Sequence, residues 1–356
     1  MRIGIPKEIK VLEGRVGLVP DAAGELVRHG HEVFIEQSAG VLSGFPDDAY
    51  QALGVTVLPD AKSVYDTAQL IVKVKEPQPP EVAMLRADQV LFSYLHLAAE
   101  PDLLKGLLAA GLTAVAFETV EEAGGQLPLL APMSDIAGRI ATQMGAHYLH
   151  RPQGGKGLLL GGVPAAPRGH VVVLGGGVAG GNAALLAAGM GAEVTVFDRS
   201  RDKLAAARTL GPNVTGLFPY AAQLKQSVIE ADVLIGAVLV AGEKAPHLVD
   251  ADTVRQMEPG SVVIDISVDQ GGCIETTRPT TWEKPTFEWE GVIHYGVTNM
   301  PGAVPKTASQ ALSASLIRYV LTLADEGWAK HPALQAGINV QAGKVIHPGL
   351  QRSIQT

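Results

Sequence analysis

The chain has 356 residues, with 28 Lys and Arg against 36 Asp and Glu, a formal charge of −8 and a pI near 5.7. Hydrophobic residues make up 47% and charged residues 18%, which supplies apolar material for two ordinary domains and excludes a disordered, highly charged chain. The acidic balance argues against nucleic acid as a partner, and the one cysteine, Cys273, leaves neither an internal disulfide nor a thiolate metal site, which suits a reducing cytoplasm.

The N-terminus is charged within its first eight residues and lacks the apolar run of a signal peptide. Short β-rich runs then alternate with helical ones. Arg2 to Ile5 reads as a strand, Pro20 to His29 as a helix and Glu32 to Glu36 as a strand. Further strands are expected at Leu70 to Lys75, Gln89 to Tyr94 and Thr113 to Phe117, with a helix over Asp102 to Ala110. Such alternation predicts a parallel sheet with crossovers. From Pro132 a helical pattern runs through Ile136, Ile140, Met144 and Tyr148, with Ser134 as its expected N-cap.

A Gly/Pro-rich passage, Pro152 to Pro167, separates this helix from a second α/β series. Its strands are expected at Val171 to Leu174, Glu193 to Phe197, Val233 to Ile235, Val262 to Ile266 and Val292 to Gly296. A closing helix over Ala308 to Ala324 carries Leu312, Leu316, Val320 and Leu323 on one face, and Gly337 to Ile346 reads as a hairpin. The stretch from Val171 to Ala192 is long enough to span a bilayer, but its clustered glycines divide it into strand, turn and helix, so no membrane segment is expected.

Those glycines form the pattern Gly175-Gly176-Gly177-Val178-Ala179-Gly180 directly after a strand and at the start of a helix. In that context the first glycine permits a tight turn, Gly177 lets backbone amides approach a pyrophosphate, and Gly180 lets helix and strand pack closely. The next strand ends at Asp198, whose carboxylate suits ribose hydroxyls and repels a 2′-phosphate, which favours NAD over NADP despite the neighbouring Arg199.

Several other residues are candidates with two readings each. His96 ends an apolar strand, where ligands gather in open α/β sheets and an imidazole can exchange protons; a core histidine between leucines has the same local pattern. Lys73 and Lys75 alternate with valines, as a solvated edge would, or as a lysine meeting a carboxylate or carbonyl oxygen. Arg15 fits a substrate carboxylate or a surface salt bridge. Asp269 runs into a glycine turn and reads as a reactive carboxylate or as a cap of local amides. Asn299 reads as a turn residue, Cys273 as unreactive, and His147 and His150 as complements of a helix dipole, with no metal site expected.

Taken together, the segments Arg2 to Glu8, Val72 to Pro77, Leu95 to Ala99, Pro128 to Ser134, Ile235 to Val240, Asp269 to Cys273 and Thr298 to Pro301 resemble the alanine dehydrogenase family, which also contains the transhydrogenase alpha subunits. The resemblance implies two Rossmann-like α/β domains with parallel sheets joined by long helices: a substrate domain of residues 1–128 and 305–356, and an NAD-binding domain of residues 129–304, with the active site in the cleft between them. It implies that Arg15 and Lys75 hold the substrate and that His96 and Asp269 act in proton transfer. For NAD it implies Ser134, Val178, Ala179, Asp198, Lys203, Val238, Leu239, Ile266, Ser267, Val268, Asp269, Arg278, Val297, Thr298, Asn299 and Met300, beside the fingerprint glycines. The implied activity is reversible oxidative deamination of L-alanine to pyruvate and ammonium in a cytoplasmic homohexamer. An NAD-binding transhydrogenase-like subunit is the alternative. This chain departs from the family at Pro219-Tyr220, where small hydroxyl residues are common near the adenosine.

Overall fold

The computed structural model describes residues 1–238 and 247–354, which divide into two compact units, Met1–Met133 with Gly302–Thr356 and Ser134–Pro301. In the first unit, β1 (Arg2–Ile5), β2 (Glu32–Glu36), β3 (Thr56–Leu58), β4 (Leu70–Val72), β5 (Val90–Ser93) and β6 (Thr113–Ala116) lie in the order β3-β2-β1-β4-β5-β6, all parallel. Ile338–Gln341 pairs antiparallel with β6, and Lys344–Val345 closes the hairpin through Ala342 and Gly343, both at positive φ as a tight two-residue turn requires. The strands are apolar on both faces because crossover helices cover both. The helix Pro305–Ala324 buries the expected Leu312, Leu316, Val320 and Leu323 among Ile3, Leu18 and Phe92 in one core.

In the second unit, β7 (His170–Leu174), β8 (Glu193–Phe197), β9 (Val214–Leu217), β10 (Val233–Gly236), β11 (Val262–Asp265), β12 (Thr286–Trp289) and β13 (Val292–Tyr295) give the order β9-β8-β7-β10-β11-β13, with β12 antiparallel at the edge. In both sheets the strand order reverses beside the first strand of the unit, the position where α/β sheets open a crevice at their carboxyl ends. The α/β reading with two parallel sheets therefore holds. The Val171 to Ala192 stretch is β7, a glycine turn and the helix Val178–Gly189, and among the described residues no helix is long and apolar enough to cross a membrane.

Two local expectations need correction. Ser134 is not an N-cap: the turn at Leu127 runs directly into the helix Ala131–Tyr148, with Ala131 N–H donating to the Leu127 carbonyl, so Ser134 lies inside the first turn. Pro132 is tolerated there because first-turn amides have no helical acceptor. The strand expected to reach Lys75 stops at Val72.

Candidate functional site

In the first unit the candidate residues follow the carboxyl ends of β1, β4 and β5. Arg15 lies in the loop between β1 and the helix Pro20–Arg28, and the far ends of that loop's backbone are pinned by two serines of the closing helix: Val16 N–H donates to Ser309 Oγ and Val19 N–H to Ser313 Oγ, each at 3.0 Å. The Arg15 side chain is buried, not a surface pair. Its Nε and Nη2 donate to the two oxygens of Glu13 at 2.7 and 2.5 Å, its own amide donates to the same carboxylate at 3.0 Å, and Nη1 faces Met133 Sδ at 3.1 Å. Burial pushes the Glu13 carboxyl up, but the Arg15 hydrogen bonds and charge outweigh it and hold it below its ordinary value.

Lys73 is likewise no solvated-edge lysine. It is 1% exposed, with Nζ 3.0 Å from Glu8 and 3.3 Å from Glu81, and it also donates to the Lys75 carbonyl at 3.1 Å. Glu8 accepts from the amides of Val74 at 2.6 Å and Lys75 at 3.4 Å, so this buried cluster fixes the backbone that carries Lys75. Lys75 itself is half-buried. Burial, and then the Arg15 charge, lower its pKa below the ordinary lysine value.

His96 sits at φ +49°, a left-handed conformation that lets its amide donate to Glu118 at 2.6 Å while its ring, about half exposed, stacks on Tyr94 at 5.9 Å with planes 4° apart. The core reading therefore fails. Tyr94 is anchored through its hydroxyl to the Leu129 carbonyl at 2.5 Å. Arg15, Lys75 and His96 thus follow the carboxyl ends of three neighbouring strands of one sheet, with the Arg15 charge close enough to lower the Lys75 pKa and an accessible imidazole after the third strand. Glu8, Glu13 and Glu118, which hold them, were missed in the sequence because a carboxylate remote in the chain shows no periodic signal.

In the second unit the cofactor candidates collect at the carboxyl ends of five parallel strands. After β7, Gly175 has φ +94°, and a Cβ on Gly180 would stand 1.8 Å from the Gly175 carbonyl oxygen, whereas a Cβ on Gly177 would meet nothing within 4 Å. The turn is therefore forced to glycine by packing at its ends and left open at its centre, the shape that admits an anion to backbone amides. After β8, Asp198 accepts from Gly176 N–H at 2.8 Å and Ser200 N–H at 2.7 Å, with Lys203 Nζ 3.6 Å away. Val178 and Lys203 are exposed and Ala179 is half-buried.

Val238 follows β10; Leu239 lies outside the described residues. After β11 come Ile266, Ser267, Val268 and exposed Asp269, carried on the short helical turn Val268–Gln270. Asp265 caps the local amides: buried, it accepts from Ser267, Cys273 and Ile274 amides and from the hydroxyls of Ser267 and Thr277. Cys273 is buried and its thiol is pushed up to about 12, which keeps it unreactive as expected.

Val297, Thr298, Asn299 and Met300 follow β13, with Asn299 at φ +56°, and Arg278 lies over the Phe287 ring at 4.4 Å. Ser134 precedes Asp135, whose Oδ1 accepts from Asn182 on the fingerprint helix at 2.7 Å. No cluster of groups that could hold a metal ion occurs among the described residues.

Comparison with known proteins matches the family models for the alanine dehydrogenase/PNT N-terminal domain over residues 4–137 and its C-terminal domain over residues 141–348. The chain belongs to the alanine dehydrogenase/PNT family. It is 50% identical to the alanine dehydrogenase of Halomonas elongata over 98% of this chain and 95% of that protein, and 47% identical to that of Bacillus subtilis over 99% and 95%. A solved L-alanine dehydrogenase superposes with a TM-score of 0.97 at 51% identity, covering 100% of this chain and 99% of that one. A transhydrogenase of Sinorhizobium meliloti shares the fold at a TM-score of 0.86 but only 26% identity, over 98% and 99%. The likeness therefore favours the dehydrogenase branch of the family over the transhydrogenase alternative, and makes the chain an oxidoreductase.

Proposed function

We propose that this chain is an NAD-dependent L-alanine dehydrogenase, catalysing L-alanine + NAD⁺ + H₂O → pyruvate + NH₄⁺ + NADH + H⁺ reversibly in a cytoplasmic homohexamer. The observation that carries the reading is the group of Arg15, Lys75 and His96 at the strand ends of the first unit, in a chain about half identical to alanine dehydrogenases. Residues 1–133 with 302–356 would serve the substrate, and residues 134–301 the cofactor.

A fixed guanidinium and a partly desolvated ammonium suit a substrate of one carboxylate and one keto oxygen, and each contact is charge-assisted. Arg15, locked by Glu13, would hold the carboxylate. Lys75 would meet the carboxylate or the carbonyl oxygen that develops as the amine leaves. The open glycine turn and Asp198 fit a dinucleotide whose pyrophosphate lies on backbone amides and whose ribose hydroxyls meet the carboxylate; Ser134, Val178, Ala179, Lys203, Val238, Leu239, Ile266, Ser267, Val268, Arg278, Val297, Thr298, Asn299 and Met300 would complete its surroundings. When bound, NAD⁺ supplies the acceptor for the hydride lost from Cα. The amine must be neutral for its lone pair to form the C=N bond as that hydride leaves, so His96 would take a proton from the ammonium, then manage proton transfers as water adds to the imine and ammonia departs. Asp269 would assist in proton transfer to and from that water.

The test is NADH formation with L-alanine against a panel of amino acids and with NADP⁺ in place of NAD⁺. Turnover of alanine with NAD⁺ is expected, with weak turnover of 2-aminobutyrate or serine, since one methylene is worth only about 1–3 kcal/mol. NAD⁺ binding without turnover of any amino acid would favour a transhydrogenase-like role and overturn the proposal. Sedimentation velocity reads the assembly.

A further inference from the structure

Phe218 and Tyr220 are the only exposed aromatic side chains among the described residues, 44% and 67% exposed; every other Phe, Tyr and Trp is buried or half-buried. They pack on each other, with ring centroids 4.9 Å apart and planes inclined by 52°. Leaving two rings in water forfeits the burial that the rest of the chain's aromatics obtain, so the pair has no account in the folding of its own unit.

Their place in the sheet supplies one. They stand on the crossover from β9 to the helix Ala221–Ile229, at the carboxyl end of the strand beside β8. Phe197 pairs with Leu217 in register, and the Asp198 amide donates to the Leu217 carbonyl at 3.2 Å, so Phe218 begins where the partner strand carries the Asp198 carboxylate. The segment is stiff. Pro219 fixes its own φ, Tyr220 N–H donates back to the Phe218 carbonyl at 2.8 Å, and Tyr220 is the N-cap of the following helix. Rings held in advance lose little freedom on meeting a ligand.

A dinucleotide that rests its pyrophosphate on the Gly175 turn after β7 and its ribose on Asp198 after β8 runs along the sheet in that direction, and the next strand end on that line is that of β9. We propose that Phe218 and Tyr220 form an aromatic platform for the purine base of that dinucleotide, a subsite in which stacking rather than hydrogen bonding holds the base. The inference rests on the cofactor reading above. It commits to a ring and not to a hydroxyl: Tyr220 contributes its face.

The test uses the full-length protein and two probes, ADP-ribose, which contains the purine, and reduced nicotinamide mononucleotide, which lacks it. Tyr220→Ala, and Phe218→Ala with Tyr220→Ala, should weaken ADP-ribose roughly tenfold or more, the scale of one lost base–aromatic stack, by calorimetry. Binding of the mononucleotide should not change. Tyr220→Phe should bind ADP-ribose as the parent does, and Tyr220→Ser should follow Tyr220→Ala. Unchanged ADP-ribose affinity in the double variant overturns the proposal, as does equal weakening of both probes or failure of Tyr220→Phe to preserve binding. A change in sedimentation with unchanged ADP-ribose affinity would assign the pair to a subunit contact and overturn it too. The two readings fail separately. A parent protein that binds ADP-ribose through Tyr220 without oxidising alanine loses the function and keeps the subsite; one that oxidises alanine while the double variant binds normally loses only the subsite.

Discussion

The two units build the same parallel order around their first strand and then use it in opposite ways. After β7 the chain turns at once through three glycines into a helix, and the groups presented are backbone amides. After β1 it wanders through the loop Pro6 to Val19, and the groups presented are side chains whose charges are buried in pairs. The first solution needs no side chain and tolerates none at Gly180. The second places a cation where a cation is costly, and therefore needs a carboxylate behind it: Glu13 behind Arg15, Glu8 and Glu81 behind Lys73. A diphosphate can be met by repeated amides of one turn, whereas a small substrate needs charges at separate points, and on the proposed function one sheet end would supply them from three crossovers.

Substitutions that remove a side chain from one unit should leave the other's work intact. His96→Ala should lower alanine-dependent NADH formation by about 10²–10⁴-fold, the usual range for a general acid–base, while NADH binding, read by fluorescence, stays near the parent value. Parent-like turnover would remove His96 from the mechanism. Glu13→Ala is the corresponding test of the buried pairs. Leaving the guanidinium without its bidentate carboxylate should cost about 3–5 kcal/mol of stability in denaturant melts and raise the KM for pyruvate. A melt equal to the parent's would show that the pair does not hold the loop.

The opposite break is Gly180→Ala. Its Cβ would stand 1.8 Å from the Gly175 carbonyl oxygen, an atom of backbone that cannot rotate away. The turn must therefore shift, at a cost of about 1–3 kcal/mol, and NADH affinity should fall together with stability. Arg15, Lys75 and His96 are untouched by this change. Affinity equal to the parent's would mean that the glycine turn is not where the dinucleotide lies.

This contrast also explains how legible each half was. The glycine turn could be read because left-handed backbone and close approach are specified by one residue type, and the apolar strands of both sheets were read almost to the residue. Short or mixed strands escaped: β3, β9 with Gly216 inside it, and the antiparallel edge strand β12 lack a sustained pattern. The two readings of Lys73 stay open in the sequence because its alternation with valines is also that of an exposed edge, and only the arrival of Glu8 and Glu81 from remote segments makes its burial possible. Ser309 and Ser313 sit on the buried face of a long helix, where they break the apolar stripe; what they hold, the loop of Arg15, lies nearly the whole chain away. His96 has a positive φ that no histidine advertises.

The smallest expected effect is on pH dependence. Burial and the Arg15 charge hold the Lys75 pKa below the ordinary value of about 10.4, so its ammonium is lost at lower pH than that of a free lysine. Pyruvate binding should weaken as pH rises through that lowered value, seen as an alkaline rise in KM that begins early. The stability sign is opposite. Between the lowered folded value and about 10.4 the unfolded chain binds more protons at this lysine than the folded one, so this group's contribution to stability grows with pH over the same window. Binding loss alongside a locally gained contribution separates titration of Lys75 from general alkaline unfolding. Lys75→Arg, which stays charged throughout, should abolish the early rise in KM. If that variant keeps the parent's alkaline limb, another group carries it, and the side-chain half of the comparison loses its second cation.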